Sequence, residues 1–228
     1  MRVKVGFTPR EHVGAPLGVV IDVLRATSTI CQALAAGYEQ VVCFAEIDDA
    51  REHAHELALA GERENVRIDG FDFGNSPREF ADVAPLKPSL GLTTTNGTRL
   101  LLAASSRCDQ VLVASLLNLD AVVEAARGVD EVAVLCAGVE GAFAIDDAYV
   151  AGRIAAALGG EPDDAAIAAI KLAESFPSAE AGIGGGVSAD NIRRAGLDDD
   201  IPWCARESVL ELVPRVVERG AASVTLRR

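Results

Sequence analysis

The sequence contains few of the side chains that most often hold metal ions. It has three histidines in 228 residues. His53 and His55 lie two positions apart, so on a helix they would point in different directions, and His12 has no histidine near it in the sequence. A histidine-rich dinuclear metal site is therefore not expected.

The cysteines lack the spacing of a structural site. They are Cys31, Cys43, Cys108, Cys136 and Cys204, an odd number without a CxxC pair. This pattern fits neither a disulfide framework nor a structural zinc site. Free thiols are typical of a reducing compartment, and we predict a cytoplasmic protein.

Long apolar runs and basic runs are also missing. No stretch approaches the roughly 20 apolar residues of a membrane-spanning helix. The first residues, MRVKVGFTPR, alternate between apolar and polar as in a strand, and they lack the apolar segment of a signal peptide. The 21 basic and 34 acidic residues give a net charge of −13, so neither a membrane nor a nucleic acid is expected as a partner. An anionic substrate would need local cations or a metal. The acidity is compatible with plain solubility and with a salt-adapted surface.

Three common motifs of phosphate chemistry are absent. There is no GxxxxGK[ST], Asp22 is not followed by the second aspartate of a DxD loop, and no arginine follows Cys31 or Cys136 at the spacing of a cysteine phosphatase. Any phosphate chemistry must therefore use carboxylates, hydroxyls and scattered arginines.

What the sequence does contain is an alternation of short β-like runs with amphipathic stretches. The runs are GVVIDV, QVVCF, LTTT, QVLVAS and EVAVLCAG. This order predicts an α/β fold with a mostly parallel, buried sheet and helices on both faces. With 50% hydrophobic residues the chain can bury one sizeable core, and we predict one domain over residues 1–228.

The helix signals differ in strength along the chain. The strongest predicts a helix over 46–60 that ends at Gly61, with Asp48 and Asp49 in its first turn. Further on, the sequence predicts a helix near 163–174, a loop in GIGGGVS and a short helix from about Asp190. The segment LVPRVVERGAASVTL predicts a C-terminal β-hairpin turning near Gly220.

Polar residues stand where the predicted strands stop. Asp22 closes the first run, Thr94 and Thr95 the third, Ser115 the fourth and Cys136 the fifth. Ligands of open α/β sheets bind outside the carboxyl ends of the strands. We therefore expect these strand ends to converge on one site.

Two of the strand ends continue into loops suited to an anion. VLRATSTI offers Arg25, Thr27, Ser28 and Thr29, and TTTNGTR offers Asn96, Gly97, Thr98 and Arg99. Hydroxyls, a cation and free helix N–H groups meet at each. Arg99 lies in a first helical turn, where a cation opposes the helix dipole. A bound anion would explain that position, and a solvated or salt-bridged arginine is the alternative.

Two further loops carry candidate residues. In GFDFGNSPREF, Asn75 has no local requirement beyond a turn, whereas capping alone accounts for Ser76. In CAGVEGAFAIDDAYVAGRI, Glu140, Asp146 and Asp147 could join Asp22 as oxygen ligands of Mg²⁺. Because adjacent residues face different ways, we expect one of the two aspartates to be only a helix-start acid.

Several of these segments also resemble, in order, the 2-phosphosulfolactate phosphatase family, the Mg²⁺-dependent enzymes of coenzyme M biosynthesis. The matching blocks are DVLRATSTI, FDFGNSPREF, TTTNGTR, CAG with GAFAIDDAYVAGRI, and DIPWCA. The resemblance implies a three-layer α/β/α fold with a mixed sheet, and hydrolysis of a phosphate ester on a small acidic substrate. Motif positions are occupied by Asp22, Arg25, Thr27, Asn75, Ser76, Thr95, Asn96, Gly97, Thr98, Cys136 and Asp147. Asp146 stands where a family glutamate is expected, and ARESVLELVP matches poorly.

The combined hypothesis is a phosphoric monoester hydrolase that uses Mg²⁺, with Mn²⁺ as a substitute. The catalytic candidates are Asp22, Arg25, Thr27, Asn96 and Arg99; the phosphate-binding candidates are Ser28, Thr29, Asn75, Ser76, Thr95, Gly97, Thr98 and Cys136; the metal candidates are Asp22, Glu140, Asp146 and Asp147. Attack by water and an acyl-phosphate on Asp22 both stay open. So do a non-catalytic anion-binding module, an isomerase of a phosphorylated sugar, and assembly into a homo-oligomer.

Overall fold

The computed structural model describes all 228 residues. Its strands are β1 Arg2–Gly6, β2 Leu17–Ile21, β3 Gln40–Phe44, β4 Ala58–Arg63, β5 Val66–Arg67, β6 Ser89–Thr93, β7 Gln110–Ala114, β8 Glu131–Cys136, β9 Glu161–Pro162, β10 Arg215–Arg219 and β11 Ser223–Arg227. Its helices are α1 Ala26–Ala36, α2 Ile47–Glu52, α3 Gly97–Ser105, α4 Leu119–Ala126, α5 Ile145–Leu158, α6 Asp164–Glu174, α7 Ala179–Gly184, α8 Val187–Arg194 and α9 Asp200–Cys204. Two 3₁₀ turns cover Pro77–Phe80 and Leu116–Asn118.

All the strands join one mixed sheet in the order β5-β4-β6-β3-β11-β10-β7-β2-β8-β1-β9. Strands β7, β2, β8, β1 and β9 form one parallel group, and β4, β6 and β3 form another. The antiparallel hairpin β10–β11 lies between the two groups. This confirms the mostly parallel sheet and the C-terminal hairpin.

Helices cover both faces of the sheet. Along β2 the side chains alternate: Val19 and Ile21 belong to a core cluster that includes Tyr149 of α5, whereas Val20 belongs to a cluster that includes Ile30 of α1. Both faces of the sheet are therefore buried, as is usual for parallel sheets. The three-layer α/β/α arrangement is confirmed.

The predicted helix over 46–60 is wrong in its second half. Helix α2 ends at Glu52, and the residues from Ala58 onward form β4. Leu59 packs in one core cluster and Ala60 in another, which is the alternation of a strand buried on both faces; a short apolar run does not distinguish this from a helix. Gly61 does not end a helix. It lies inside β4, where a Cβ would come within 2.4 Å of the Thr93 carbonyl oxygen.

The predicted loop at GIGGGVS is also wrong. Helix α7 runs to Gly184, and α8 begins at Val187, earlier than the sequence predicts. Gly182 has a packing reason, because a Cβ there would lie 2.3 Å from the Tyr149 ring of α5. The helix near 163–174 is confirmed as α6. None of the helices has both the length and the apolar character needed to cross a bilayer.

Candidate active site

A polar cleft of about 100 Å³ lies where several strands end. Of the residues proposed from sequence, it is lined by Asp22, Arg25, Asn75, Thr95, Asn96, Glu140, Asp146 and Asp147. The other lining residues include Glu62, Glu64 and Asn65, which were not proposed from sequence. Six of these side chains are carboxylates, and we call this space the acidic cleft.

Asp146 and Asp147, at the start of α5, both line the acidic cleft. We expected one of them to be only a helix-start acid. The two side chains make different contacts. Asp147 accepts hydrogen bonds from the backbone N–H of Val23 and of Gly138, both at 2.9 Å. It thereby joins the loop after β2 to the loop after β8. Asp146 accepts a hydrogen bond from the Ser188 hydroxyl at 2.9 Å. Both side chains are buried, so neither is merely a solvated helix-start acid.

Burial makes these carboxyl groups hard to ionise in the absence of a cation. Desolvation raises the pKa of Asp22 to about 7, with smaller contributions from Asp146 and Glu62. Desolvation also raises the pKa of Asp146 to about 6, and desolvation together with the charges of Asp146 and Asp22 raises the pKa of Asp147 well above its ordinary value. A positive charge placed among these groups would favour their ionised forms.

The arrangement suits a hard cation that keeps part of its water shell. No three acidic, histidine or cysteine side chains converge closely enough to chelate a metal by themselves. Mg²⁺ does not need that, because it is usually held by one or two carboxylates together with waters and substrate phosphate oxygens. Asp22 accepts one hydrogen bond on Oδ1, from Ala26 N–H at 3.3 Å. Its Oδ2 is left for another ligand.

One cation, Arg25, is buried beside the carboxylates. Its Nη1 donates to Asp200 Oδ2 at 2.6 Å, and its Nη2 lies 3.4 Å from Asn65 Oδ1. Its Nε is buried without a hydrogen-bond partner. A guanidinium presents five N–H donors, so Arg25 can still bind an anion. The second oxygen of Asp200 accepts from the Ser76 hydroxyl at 2.6 Å, which gives Ser76 the task of fixing Asp200.

Sequence reasoning missed Glu62 and Asp200. Glu62 accepts hydrogen bonds from Thr95 N–H at 2.9 Å and from Thr95 Oγ1 at 3.1 Å, which orients the loop after β6. A correct assignment of β4 would have placed Glu62 near the end of a parallel strand, where site residues are expected. Asp200 had a weaker signal, namely its position in DIPWCA; its partner Arg25 lies 175 positions away.

Comparison with known proteins settles the family. Residues 6–219 match the sequence model of 2-phosphosulpholactate phosphatase. The chain belongs to this family. A Thermus thermophilus protein named "Probable 2-phosphosulfolactate phosphatase" is 35% identical over the full length of both chains. The 2-phosphosulfolactate phosphatase of Methanothermobacter thermautotrophicus is 38% identical over 94% of this chain and 92% of its own. A "Probable 2-phosphosulfolactate phosphatase" of Thermotoga maritima is 36% identical over 94% and 95%.

These names describe phosphoric monoester hydrolases, so the 2-phosphosulpholactate phosphatase family is one of enzymes. The family resemblance inferred from the sequence blocks is therefore confirmed. It covers nearly the whole chain, including the poorly matching segment after Cys204 up to residue 219.

Four hydroxyls of the family motifs bind backbone groups and do not line the acidic cleft. Thr27 donates to Asp22 O at 2.9 Å, Ser28 to Val23 O at 2.8 Å, Thr29 to Asn75 O at 2.9 Å and Thr98 to Thr94 O at 3.0 Å. All four are buried. In this structure they hold the strand-end loops together, and they are not aimed at a ligand.

Besides Ser76, three other predicted residues lie outside the acidic cleft. Gly97 contributes by its small size, since a Cβ there would come within 2.7 Å of Asp22 Oδ2. Cys136 is buried, and desolvation raises the pKa of its thiol well above the ordinary value. Arg99 is exposed and forms an ion pair with Glu46 at 3.1 Å, which is the salt-bridged alternative that the sequence left open.

Proposed function

We propose that this protein is a Mg²⁺-dependent phosphatase that hydrolyses the phosphate ester of a small acidic substrate. The substrate we propose is 2-phosphosulfolactate, with sulfolactate and phosphate as products, or a related phosphorylated hydroxyacid. The observation that carries the proposal is the juxtaposition of a buried, incompletely bonded Arg25 with buried carboxylates in the acidic cleft. Membership of a phosphatase family supports it.

In this proposal the carboxylates and the arginine have different roles. Asp22 and Asp146 hold the cation, Glu140 at the rim is available to its water shell, and Asp147 keeps the two loops in place. When bound, Mg²⁺ neutralises charge on the phosphoryl oxygens. Arg25 donates to those oxygens through its free N–H groups, and positioned charges of this kind account for most of the rate in phosphoryl transfer.

The nucleophile can be one of two groups. In one route an Asp22 carboxylate oxygen attacks phosphorus, the P–O bond to sulfolactate breaks, and the leaving alkoxide takes a proton from water; a second water then attacks phosphorus of the acyl-phosphate, which releases phosphate and the free Asp22 carboxylate. In the other route Asp22 orients a water that attacks phosphorus while the same P–O bond breaks. Rapid mixing of enzyme with radiolabelled substrate, followed by acid quench, distinguishes the two. A labelled protein band requires the covalent route.

The decisive experiment is a phosphate-release assay with 2-phosphosulfolactate in the presence of Mg²⁺, Mn²⁺ or excess EDTA. We expect turnover with either metal and loss of turnover in EDTA that is reversed by adding Mg²⁺. Asp22→Asn should be inactive, whereas Asp120→Asn, on an exposed turn of α4, should behave as the parent. Full activity in EDTA contradicts the metal requirement.

The same assay tests the competing functions. A binding module would bind the phosphate ester without turnover, and an isomerase of a phosphorylated sugar would convert its substrate without releasing phosphate. A place in coenzyme M biosynthesis, a cytoplasmic location and a homo-oligomeric state stay predictions.

A further inference from the structure

A second cleft opens directly beside the acidic cleft. Its volume is about 400 Å³. The two spaces share Arg25, Asn65 and Asn75 in their walls, so they are two chambers on either side of the buried guanidinium. The second chamber adds Arg67 and Arg78 to its lining. We call it the arginine cleft.

The two chambers differ sharply in charge. Six carboxylates line the acidic cleft, whereas the arginine cleft has three arginines and two carboxylates. Both of those carboxylates are already engaged. Asp200 binds Arg25 and Ser76, and Glu79 accepts from the backbone N–H groups of Gly74 at 3.0 Å and Ser76 at 3.3 Å.

Arg67 is the arginine of this cleft whose guanidinium has no ionic partner. Arg78 pairs with Asp199 at 3.2 Å. The Arg67 side chain pairs with no carboxylate, and its one hydrogen bond is donated to the Asp72 carbonyl oxygen at 3.4 Å. At the boundary between the chambers, Arg25 Nε and Asn75 Oδ1 are buried without a partner. Buried polar groups are normally bonded, so an anionic ligand at the boundary would accept the hydrogen bond that Arg25 Nε has free to donate.

We propose that the arginine cleft binds a second anionic group of the substrate, a carboxylate or sulfonate, while the acidic cleft holds the phosphoryl group. This inference rests on the proposed function and deepens it. Arg67 makes the contact with the second anion, and Arg25 bridges the two charged groups. Arg67 is then a specificity determinant, because it distinguishes phosphate esters that carry a second anionic group from simple phosphate monoesters.

The test removes the cation and the anion separately. Phosphate release is measured for 2-phosphosulfolactate, 2-phospholactate and isopropyl phosphate, which lose first the sulfonate and then the carboxylate. The enzymes are the parent, Arg67→Ala, and the control Arg127→Ala, whose arginine is exposed and pairs with Glu124 within one helix turn. The loss of one charge-assisted contact corresponds to a fall of about tenfold in kcat/KM.

We expect the kcat/KM of Arg67→Ala to fall about tenfold for at least one of the two acidic substrates, and to fall clearly less for isopropyl phosphate. Arg127→Ala should retain the parent's ratio between substrates. An equal loss on all three substrates, or no loss on any, overturns the inference while leaving the phosphatase function intact.

A binding measurement keeps the inference testable if no substrate is turned over. Calorimetric titration with sulfolactate, which lacks the phosphoryl group, should show binding to the parent and at least about tenfold weaker binding to Arg67→Ala. Absence of phosphate release, together with sulfolactate binding that Arg67→Ala weakens at least about tenfold, refutes the phosphatase and supports the arginine cleft. Equal affinity in parent and variant refutes the arginine cleft.

Discussion

The buried ion pair between Arg25 and Asp200 predicts a large difference between two neighbouring aspartates. Asp200 contacts Arg25 at 2.6 Å with both side chains about 1% exposed. Asp199 pairs with Arg78 at 3.2 Å, and those side chains are 76% and 44% exposed. Replacing each aspartate by alanine therefore removes one ion pair in each case, from opposite environments.

The expected magnitudes differ several-fold. Removing one partner of a buried pair leaves an uncompensated charge and costs about 3–5 kcal/mol of unfolding free energy. Asp200→Ala also leaves the Ser76 hydroxyl without its acceptor, which places the cost toward the upper end of this range. An exposed pair contributes about 0–1 kcal/mol. For a chain of this length about 1 kcal/mol corresponds to roughly 2–4 °C in Tm, so Asp200→Ala should melt about 6–20 °C below the parent.

The assay is thermal unfolding and urea unfolding, both followed by far-ultraviolet circular dichroism, with EDTA present so that bound metal ions do not contribute. A double variant, Arg25→Met with Asp200→Leu, should recover much of the lost stability, because apolar pairs often replace buried ion pairs without loss. It should not recover phosphatase activity, since Arg25 is gone. If Asp200→Ala is no less stable than Asp199→Ala, the reasoning about the buried pair is wrong.

Three further predictions follow from the site. Gly97→Ala should displace Asp22 and lower kcat/KM at least about tenfold, and overpacking should cost about 1–3 kcal/mol of unfolding free energy. The control Gly185→Ala, whose Cβ would meet nothing nearer than 3.5 Å, should keep its activity. Normal kinetics for Gly97→Ala would contradict the packing argument. Arg25→Ala should lower kcat/KM at least about tenfold through lost charge-assisted hydrogen bonds, whereas Arg99→Ala should change it less than about twofold because its ion pair is exposed; the reverse order in steady-state kinetics would restore Arg99 to the site. All five thiols are buried, and desolvation raises the pKa of each, so a thiol reagent at pH 8 should react with the native protein far more slowly than with the urea-unfolded chain; one fast native thiol would show that a cysteine is accessible.

Much of the site's location could be predicted, because each strand end shows in the sequence as an apolar run followed by a polar residue. Asp22 and Thr95 follow apolar runs that form β2 and β6, and both line the acidic cleft. The direction of a hydroxyl could not be predicted. Thr27 is a motif residue with the right chemistry, yet its Oγ bonds to Asp22 O, because the rotamer follows from the loop backbone and not from the residue type.

Other misses come from distance along the chain. Arg25 and Asp200 are 175 residues apart, and no local pattern links them. Glu62 was hidden by the helix assigned over 46–60, since LALA satisfies both a helix and a strand buried on both faces. The exposed position of Arg99 was one of two readings that the sequence allowed, and the choice depended on Glu46, 53 residues earlier.

The place of the hairpin β10–β11 in the sheet sets an order for assembly. Its strands lie between β3 and β7, although they follow every other strand in the chain. A ribosome therefore delivers the middle of the sheet last. Until then the two parallel groups have no strand between them, and Asp22 belongs to one group while Thr95 belongs to the other. A nascent chain released before residue 215 would lack the strands that join the two groups within the sheet, so a premature stop close to the carboxyl end removes the centre of the sheet and not its edge.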